Sequence, residues 1–351
     1  DVPDFYFTGI STFAHMEHVK CLTQPSAEFD IALIGIPIDT AVSFKPGARF
    51  GPRAIRFGSA RQTSFRTFNP ILGINPFQSN ATIVDCGDMP ITPFDNSVAF
   101  SQIEDAYSAL LQHPTPSGRK SLGASSEPRS KEQGGVLALD GKRHPRIASM
   151  GGDHSIVLPI LRSLHKVYGP ITVIHMDAHL DSWQPKAYGS SVWESAQAGY
   201  THGTMFHHAA VEGLTANNSV HLGLRGLLSG ADYDDYVHDA NCGFSYLETQ
   251  EMVDMGLNEV ARLVKERVGN SPVYLSIDVD VMDPSVAPGT GTPVAGGLLS
   301  REVRELIRLL QGVNLVGVDV VEVSPPYDSQ AEITALAAAE LMYELITIMV
   351  L

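Results

Sequence analysis

Short apolar runs with strand character recur along this chain, many of them ending in glycine or aspartate: Ile31–Ile36, Ala81–Asp85, Arg146–Met150, Ile171–Met176, Ser219–Leu224, Val273–Ile277 and Leu315–Val321. Helical periodicity fills most of the gaps, over Ser97–Leu111, Ile156–Tyr168, Leu257–Val268, Ser300–Leu310 and Ile333–Met349. Strands so continuously apolar suit a parallel sheet covered on both faces, and their alternation with helices is the signature of an α/β fold. A length of 351 residues admits one large α/β domain or two ordinary ones. No internal repeat is visible. Residues 113–144 are rich in serine, glycine, proline and charge and lack periodicity. They read as a surface insertion between a helix and the next strand rather than as a boundary, so residues 1–351 are expected to form a single domain.

In parallel α/β sheets, ligands gather outside the carboxyl ends of the strands. Four of the expected strand ends carry the polar residues of interest: Gly151-Gly-Asp-His154, Asp177 to Asp181, Asp278 with Asp280, and Glu322. In an extended backbone, side chains at spacing two share a face, so Asp177, His179 and Asp181 point the same way. His154, Asp177, His179, Asp181, Asp278 and Asp280 together offer carboxylate oxygens and imidazole nitrogens with no thiolate. That donor set favours Mn²⁺ over structural Zn²⁺ and suits Ca²⁺ poorly. Four crowded carboxylates also repel one another unless cations neutralise them, which predicts two ions about 3.5–4 Å apart.

Composition narrows the partners. A net charge of −15, from 39 acidic and 24 basic residues, argues against nucleic acid and anionic membrane surfaces. It is compatible with a cationic small substrate. Hydrophobic content of 44% is ample for a core, and no apolar run is expected to reach the length of a membrane span. Cys21, Cys86 and Cys242 are far apart and in no CxxC arrangement, so they read as ordinary thiols. The chain begins at Asp1, which leaves a cytoplasmic protein and one secreted after signal removal both open.

Three long motifs, in order, resemble the ureohydrolase family, the manganese enzymes that include arginase, agmatinase and guanidinobutyrase. They are Gly151-Gly-Asp-His-Ser155, Asp177-Ala-His-Leu-Asp181, and Ser276-Ile-Asp-Val-Asp-Val-Met-Asp-Pro-Ser285 followed by Pro288-Gly-Thr-Gly-Thr-Pro293. The resemblance implies an arginase-like three-layer α/β/α sandwich around a mostly parallel eight-stranded sheet, two Mn²⁺ per subunit, and a homo-oligomer, trimeric or hexameric. It implies that His154, Asp177, Asp181 and Asp278 hold one ion and Asp177, His179, Asp278 and Asp280 the other, with Asp177 and Asp278 bridging.

A guanidinium carbon is a poor electrophile and neutral water a weak nucleophile, which is why such a site needs two metal ions. Asp181 could also aim the activated water. The leaving amine needs a proton, and His202 in Thr201-His-Gly-Thr-Met-Phe206 matches the family histidine proposed to supply it. Glu322 matches the carboxylate that grips the substrate guanidinium, ideally by bidentate pairing. Thr292 is expected to line the cleft. His175 shares the strand face with Asp177 and reads as a packed core histidine or a partner of the metal ligands. His207 and His208 open a helix and are given no role, and Asp232, Asp234 and Asp235 read as a solvated loop.

Within the family, Ile34-Gly-Ile-Pro-Ile-Asp39, Lys45-Pro-Gly-Ala-Arg-Phe-Gly-Pro-Arg-Ala-Ile-Arg56 and His202-Gly-Thr-Met-Phe206 resemble the agmatinase-like branch. Arginases recognise an amino-acid zwitterion with polar groups where this chain has Ser182-Trp183 and Leu224-Arg-Gly-Leu-Leu228, which disfavours arginine. Agmatine is the first expectation and 4-guanidinobutyrate the close second. The loop from Trp183 to Tyr200 carries Trp183, Tyr188 and Trp193; closing over the far end of the substrate, it would make Trp183 a substrate contact. A one-zinc deacetylase or a DxD glycosyltransferase would leave part of the donor set unexplained. The Gly289-Thr-Gly-Thr-Pro293 loop is not a phosphate loop.

Overall fold

A computed structural model describes residues 5–116, 138–189, 192–193 and 195–351. Its strands are β1 (Ile31–Ile36), β2 (Ile83–Asp88), β3 (Arg146–Gly151), β4 (Thr172–Met176), β5 (Ser219–Leu224), β6 (Phe244–Glu248), β7 (Val273–Asp278) and β8 (Leu315–Val321). They form one sheet in the order β2-β1-β3-β8-β7-β4-β5-β6, and every neighbouring pair is parallel. The helices are α1 (Gly51–Gly58), α2 (Asn96–Leu111), α3 (Val157–Tyr168), α4 (Met205–Val211), α5 (Asp234–Asn241), α6 (Thr249–Met255), α7 (Leu257–Val268), α8 (Ser300–Leu309) and α9 (Ile333–Val350).

The period-two alternation of the strands separates two cores. Ile31 and Leu33 of β1 join Val260 and Val264 of α7, Val303 and Leu306 of α8, and Leu341 and Leu345 of α9 on one face. Ala32, Ile34 and Ile36 join Ile103 of α2, Leu161 and Leu164 of α3, and Phe206 of α4 on the other. The result is the expected three-layer α/β/α arrangement. The amphipathic pattern did not single out α1, α5, α6 or β6. Strand β6 lies at the sheet edge, and its half-exposed Ser245, Leu247 and Glu248 break the continuous apolar run of the inner strands.

Three expectations need correction. Cys21 and Cys86 are not free thiols; they form a disulfide across 65 residues, and only Cys242 is free. Folding brings the Cys21 turn against β2, a proximity that sequence spacing does not encode. Second, α9 is long and apolar enough to cross a membrane by composition, with a mean hydropathy of 1.7 over 18 residues. It is instead the central helix of one core, and its fully buried Glu344 pairs with Arg304 and Arg308 of α8. Third, Asp234 and Asp235 open helix α5, and Asp235 is buried rather than solvated. Residues 117–137, the greater part of the insertion expected at 113–144, lie outside the described residues.

Candidate metal centre

Strand order puts the polar strand ends side by side. β3, β8, β7 and β4 are consecutive neighbours, although β7 and β8 come last in the chain. The polypeptide passes from β3 to β4 on opposite sides of a gap that β7 and β8 later fill, so the carboxyl ends of all four open into one crevice. Gly152, just after β3, is required by close approach: a Cβ there would sit 1.8 Å from the Ile38 carbonyl oxygen. Its own carbonyl accepts from the Glu322 amide at 2.8 Å. Asp181 and Glu322 both have left-handed backbones, with φ of 53° and 61°. Such strain costs on the order of 1–3 kcal/mol per residue and survives where the surroundings overdetermine it.

The His154 ring is fixed from behind. Its Nε2 lies 2.8 Å from Ser276 Oγ, which donates to Asp319 Oδ1 at 2.8 Å, and Tyr274 donates to the other Asp319 oxygen. Nε2 therefore carries a proton, which leaves Nδ1 as the nitrogen that could serve a cation. That Nδ1 is buried, lacks a hydrogen-bond partner, and faces Asp177 Oδ2 at 3.1 Å, Asp181 Oδ2 at 3.1 Å and Asp278 Oδ2 at 3.4 Å. An imidazole nitrogen converging with three carboxylate oxygens is a donor set that could hold a cation. Beside it, His179 Nδ1 lies 3.2 Å from Asp177 Oδ1 and 3.1 Å from Asp280 Oδ2. Asp177 faces both groups through different oxygens.

The carboxylates bear their mutual repulsion unequally. Burial, together with the charges of Asp280 and Asp177, pushes Asp278 well above the usual carboxylate range. Burial and Asp177 raise Asp280 to about 6, against the opposing pull of His179. Asp177 is likewise buried, but His175, His154 and His179 outweigh that and hold it well below the ordinary value. A donor set that resists its own ionisation in this way fits one or more divalent cations.

His175 is wholly buried, with Nε2 3.0 Å from Asp177 Oδ2 and Nδ1 2.7 Å from His221 Nδ1. His221 Nε2 in turn meets Asp239 Oδ1 at 2.9 Å, the same oxygen that accepts from Ser182. Burial lowers His175 to about 4, so the ring is neutral near pH 7. Ser276, Asp319, His221 and Asp239 were given no role in the sequence reading. The first three were marked only as polar residues inside apolar strands, and Asp239 sits among the other polar residues of α5.

His202 and Glu322 form a buried pair, Nδ1 to Oε1, at 3.0 Å. Glu322 Oε1 also accepts from the His154 amide at 2.9 Å, while Oε2 is buried without a partner. Burial works against charge on His202, yet Glu322, Asp181 and Asp153 overcome it and raise its pKa to about 9. The Ser43 amide opposes that shift, because it donates to Nε2 at 3.0 Å and so favours the neutral ring. Ser43, which the sequence reading did not name, also brings Oγ within 2.8 Å of Nε2.

The surrounding wall is aromatic. Trp183 stacks on Tyr188 with ring centroids 5.6 Å apart and lies 6.4 Å from His179. Its Nε1 donates to Asp235 Oδ2 at 2.8 Å, which gives the buried Asp235 its purpose. Tyr188 covers Gly203, where a Cβ would sit 2.5 Å from the ring. A depression beside His179 is lined by Trp183, Leu224, Leu228 and Tyr236. Thr292 is half-buried, and its Oγ1 donates to Asp280 Oδ2 at 3.3 Å. Trp193 is 71% exposed.

Residues 29–347 match the Arginase family. The chain is 46% identical over 348 residues to the Schizosaccharomyces pombe protein named "Putative agmatinase 1", covering 99% of this chain and 84% of that one. It is 36% identical over 344 residues to a guanidinobutyrase of Pseudomonas aeruginosa, covering 98% and 93%. The solved structure of proclavaminate amidino hydrolase from Streptomyces clavuligerus superimposes with a TM-score of 0.79 at 34% identity, over 99% of both chains.

Proposed function

The chain belongs to the arginase family of hydrolases, and we propose that it cleaves the guanidino group of a small linear compound, agmatine first, to urea and an amine. Water adds its oxygen to the guanidino carbon, the bond from that carbon to the chain nitrogen breaks, and the departing nitrogen takes up a proton. The observation that carries this reading is the meeting of the His154 and His179 groups, through Asp177, with the His202–Glu322 pair at adjacent strand ends.

His154, Asp177, Asp181 and Asp278 would hold one Mn²⁺ and Asp177, His179, Asp278 and Asp280 a second, which together supply Lewis acidity and a water made nucleophilic near neutral pH. Asp181, kept in its left-handed conformation beside His154, orients that water. Glu322 Oε2, the unpartnered oxygen, accepts from a guanidinium N–H, while Oε1 stays with His202 and the His154 amide. Bidentate gripping would require His202 to be released. The protonated His202 delivers its proton to the leaving nitrogen.

The stacked Trp183 and Tyr188 stand beside His179, and on this reading the far end of the substrate extends toward them, where aromatic faces attract an ammonium. That favours agmatine over 4-guanidinobutyrate, whose far end is a carboxylate. The guanidinobutyrase among the relatives supports the second reading. Comparing kcat/KM for the two compounds decides between them: at least about a tenfold preference for agmatine, some 1.4 kcal/mol, is expected. A preference for guanidinobutyrate would reverse the assignment. The exposed Phe44, Phe50, Phe57, Phe65 and Phe68 support a homo-oligomer, trimeric or hexameric, which sedimentation would test.

A further inference from the structure

Away from the crevice, helices α4 and α5 bring together three side chains that the proposed hydrolysis does not use. His207 projects from α4, and His238 with Cys242 lies one turn apart on α5 and its C-cap. His207 Nδ1 is 3.1 Å from His238 Nε2, and Cys242 Sγ is 3.5 Å from the same nitrogen. One donor atom from each residue falls within 4.8 Å of the others. We propose that His207, His238 and Cys242 form a further metal site, for a borderline-soft divalent cation of the Zn²⁺ type.

Geometry carries the proposal. A tetrahedral ion with bonds of about 2.0–2.1 Å to nitrogen and 2.3 Å to sulfur separates its ligand atoms by roughly 3.3 Å for two nitrogens and 3.6 Å for nitrogen and sulfur. The two observed edges, 3.1 and 3.5 Å, are already close to that frame. Spacing of four along a helix turns two side chains to one face, the arrangement by which helices present paired ligands. Both histidines are half-buried and Cys242 is buried, so the site is reachable yet shielded on its sulfur side.

The surroundings agree. Gln184 Nε2 lies 3.1 Å from His238 Nδ1; an ion on His238 Nε2 requires this carboxamide to turn over, so that its oxygen accepts the Nδ1 proton. Asp239 is wholly buried next to His238 and has one oxygen without a partner; burial first and the Asp239 charge second push the Cys242 thiol up to about 12, so it is the ion that must displace the proton. That negative potential favours a cation. Binding displaces the thiol proton to solvent and leaves a Cys242 thiolate as ligand. A thiolate with two imidazoles selects a softer ion than the all-oxygen-and-imidazole set of the crevice.

The ion would fasten α4 to α5. Helix α4 begins three residues after His202, and α5 carries Asp235, which holds Trp183, and Asp239, which holds Ser182. The site thus braces both walls of the crevice without touching its reacting groups.

The test uses the whole protein saturated with Mn²⁺ and then titrated with Co²⁺, because a thiolate ligand gives Co²⁺ a near-ultraviolet charge-transfer band that carboxylate and imidazole do not. The expected result is that band, saturating at one Co²⁺ per chain, with loss of the band in Cys242→Ser. His207→Gln, at a half-buried position, should weaken Co²⁺ binding at least tenfold and guards against misfolding of the cysteine variant. Absence of the band in the native protein overturns the site. So does its persistence in Cys242→Ser, or unchanged affinity in His207→Gln.

Discussion

Glu322 Oε1 lies 3.0 Å from His202 Nδ1, although the two residues are 120 positions apart and the pair is buried at the end of β8. Of the carboxylates around His202, this one is the strongest reason its pKa rises to about 9. The ring is protonated below that value and loses its charge above it. With His202 as proton donor, kcat should hold through neutral pH and fall as pH rises past about 9. Replacing Glu322 with Gln removes the main upward pull, so the alkaline limb should move to lower pH and kcat/KM should drop at least ~100-fold. A pH–rate profile of both proteins checks it.

The path His154 Nε2, Ser276, Asp319 fixes which nitrogen faces the carboxylates. Ser276→Ala or Asp319→Asn replaces none of the six candidate metal ligands, yet each should weaken retention of bound Mn²⁺ by about 10–100-fold. Metal content after dialysis against graded Mn²⁺ measures this. Unchanged retention would mean that the ring is held by its packing alone.

Asp177 faces the His154 group with Oδ2 and the His179 group with Oδ1. Asp177→Asn should therefore lower metal content at both positions and abolish turnover, whereas Asp280→Asn should act mainly on the His179 position. Quantifying Mn²⁺ per chain in the two variants separates a bridging ligand from a terminal one.

The Cys21–Cys86 disulfide closes a loop of 65 residues. Its removal in Cys86→Ala should lower unfolding free energy by about 2–4 kcal/mol. Without reductant the denatured protein should show one reactive thiol, Cys242, and with reductant three. Denaturant titration and thiol counting check the two statements.

Which parts were readable follows from how local each signal is. The donor residues sit at the ends of inner strands, where continuous apolar runs such as Val273–Ile277 announce the strand and the next residue announces the site. The expectation that Asp177, His179 and Asp181 share one face of an extended strand needs correction: β4 ends at Met176, the chain bends at 178–179, and the left-handed Asp181 is brought to the others by that loop. Edge strand β6 and helix α1, with glycine at both ends and a proline, lack that strong pattern. Pairings across the fold were out of reach: Cys21 with Cys86, Ser43 with His202, Asp235 with Trp183, and Asp319 with Ser276 depend on which strands become neighbours. Asp235 was misread because an acidic run looks solvated until Trp183 and Ser229 are brought to it.

The most direct test of the account is urea release by the protein carrying two Mn²⁺ per chain, measured against a panel of linear guanidino compounds that includes agmatine and 4-guanidinobutyrate. The account predicts urea and the matching amine in equal amounts from at least one of them. No urea from any, with two bound ions per chain verified, would contradict it.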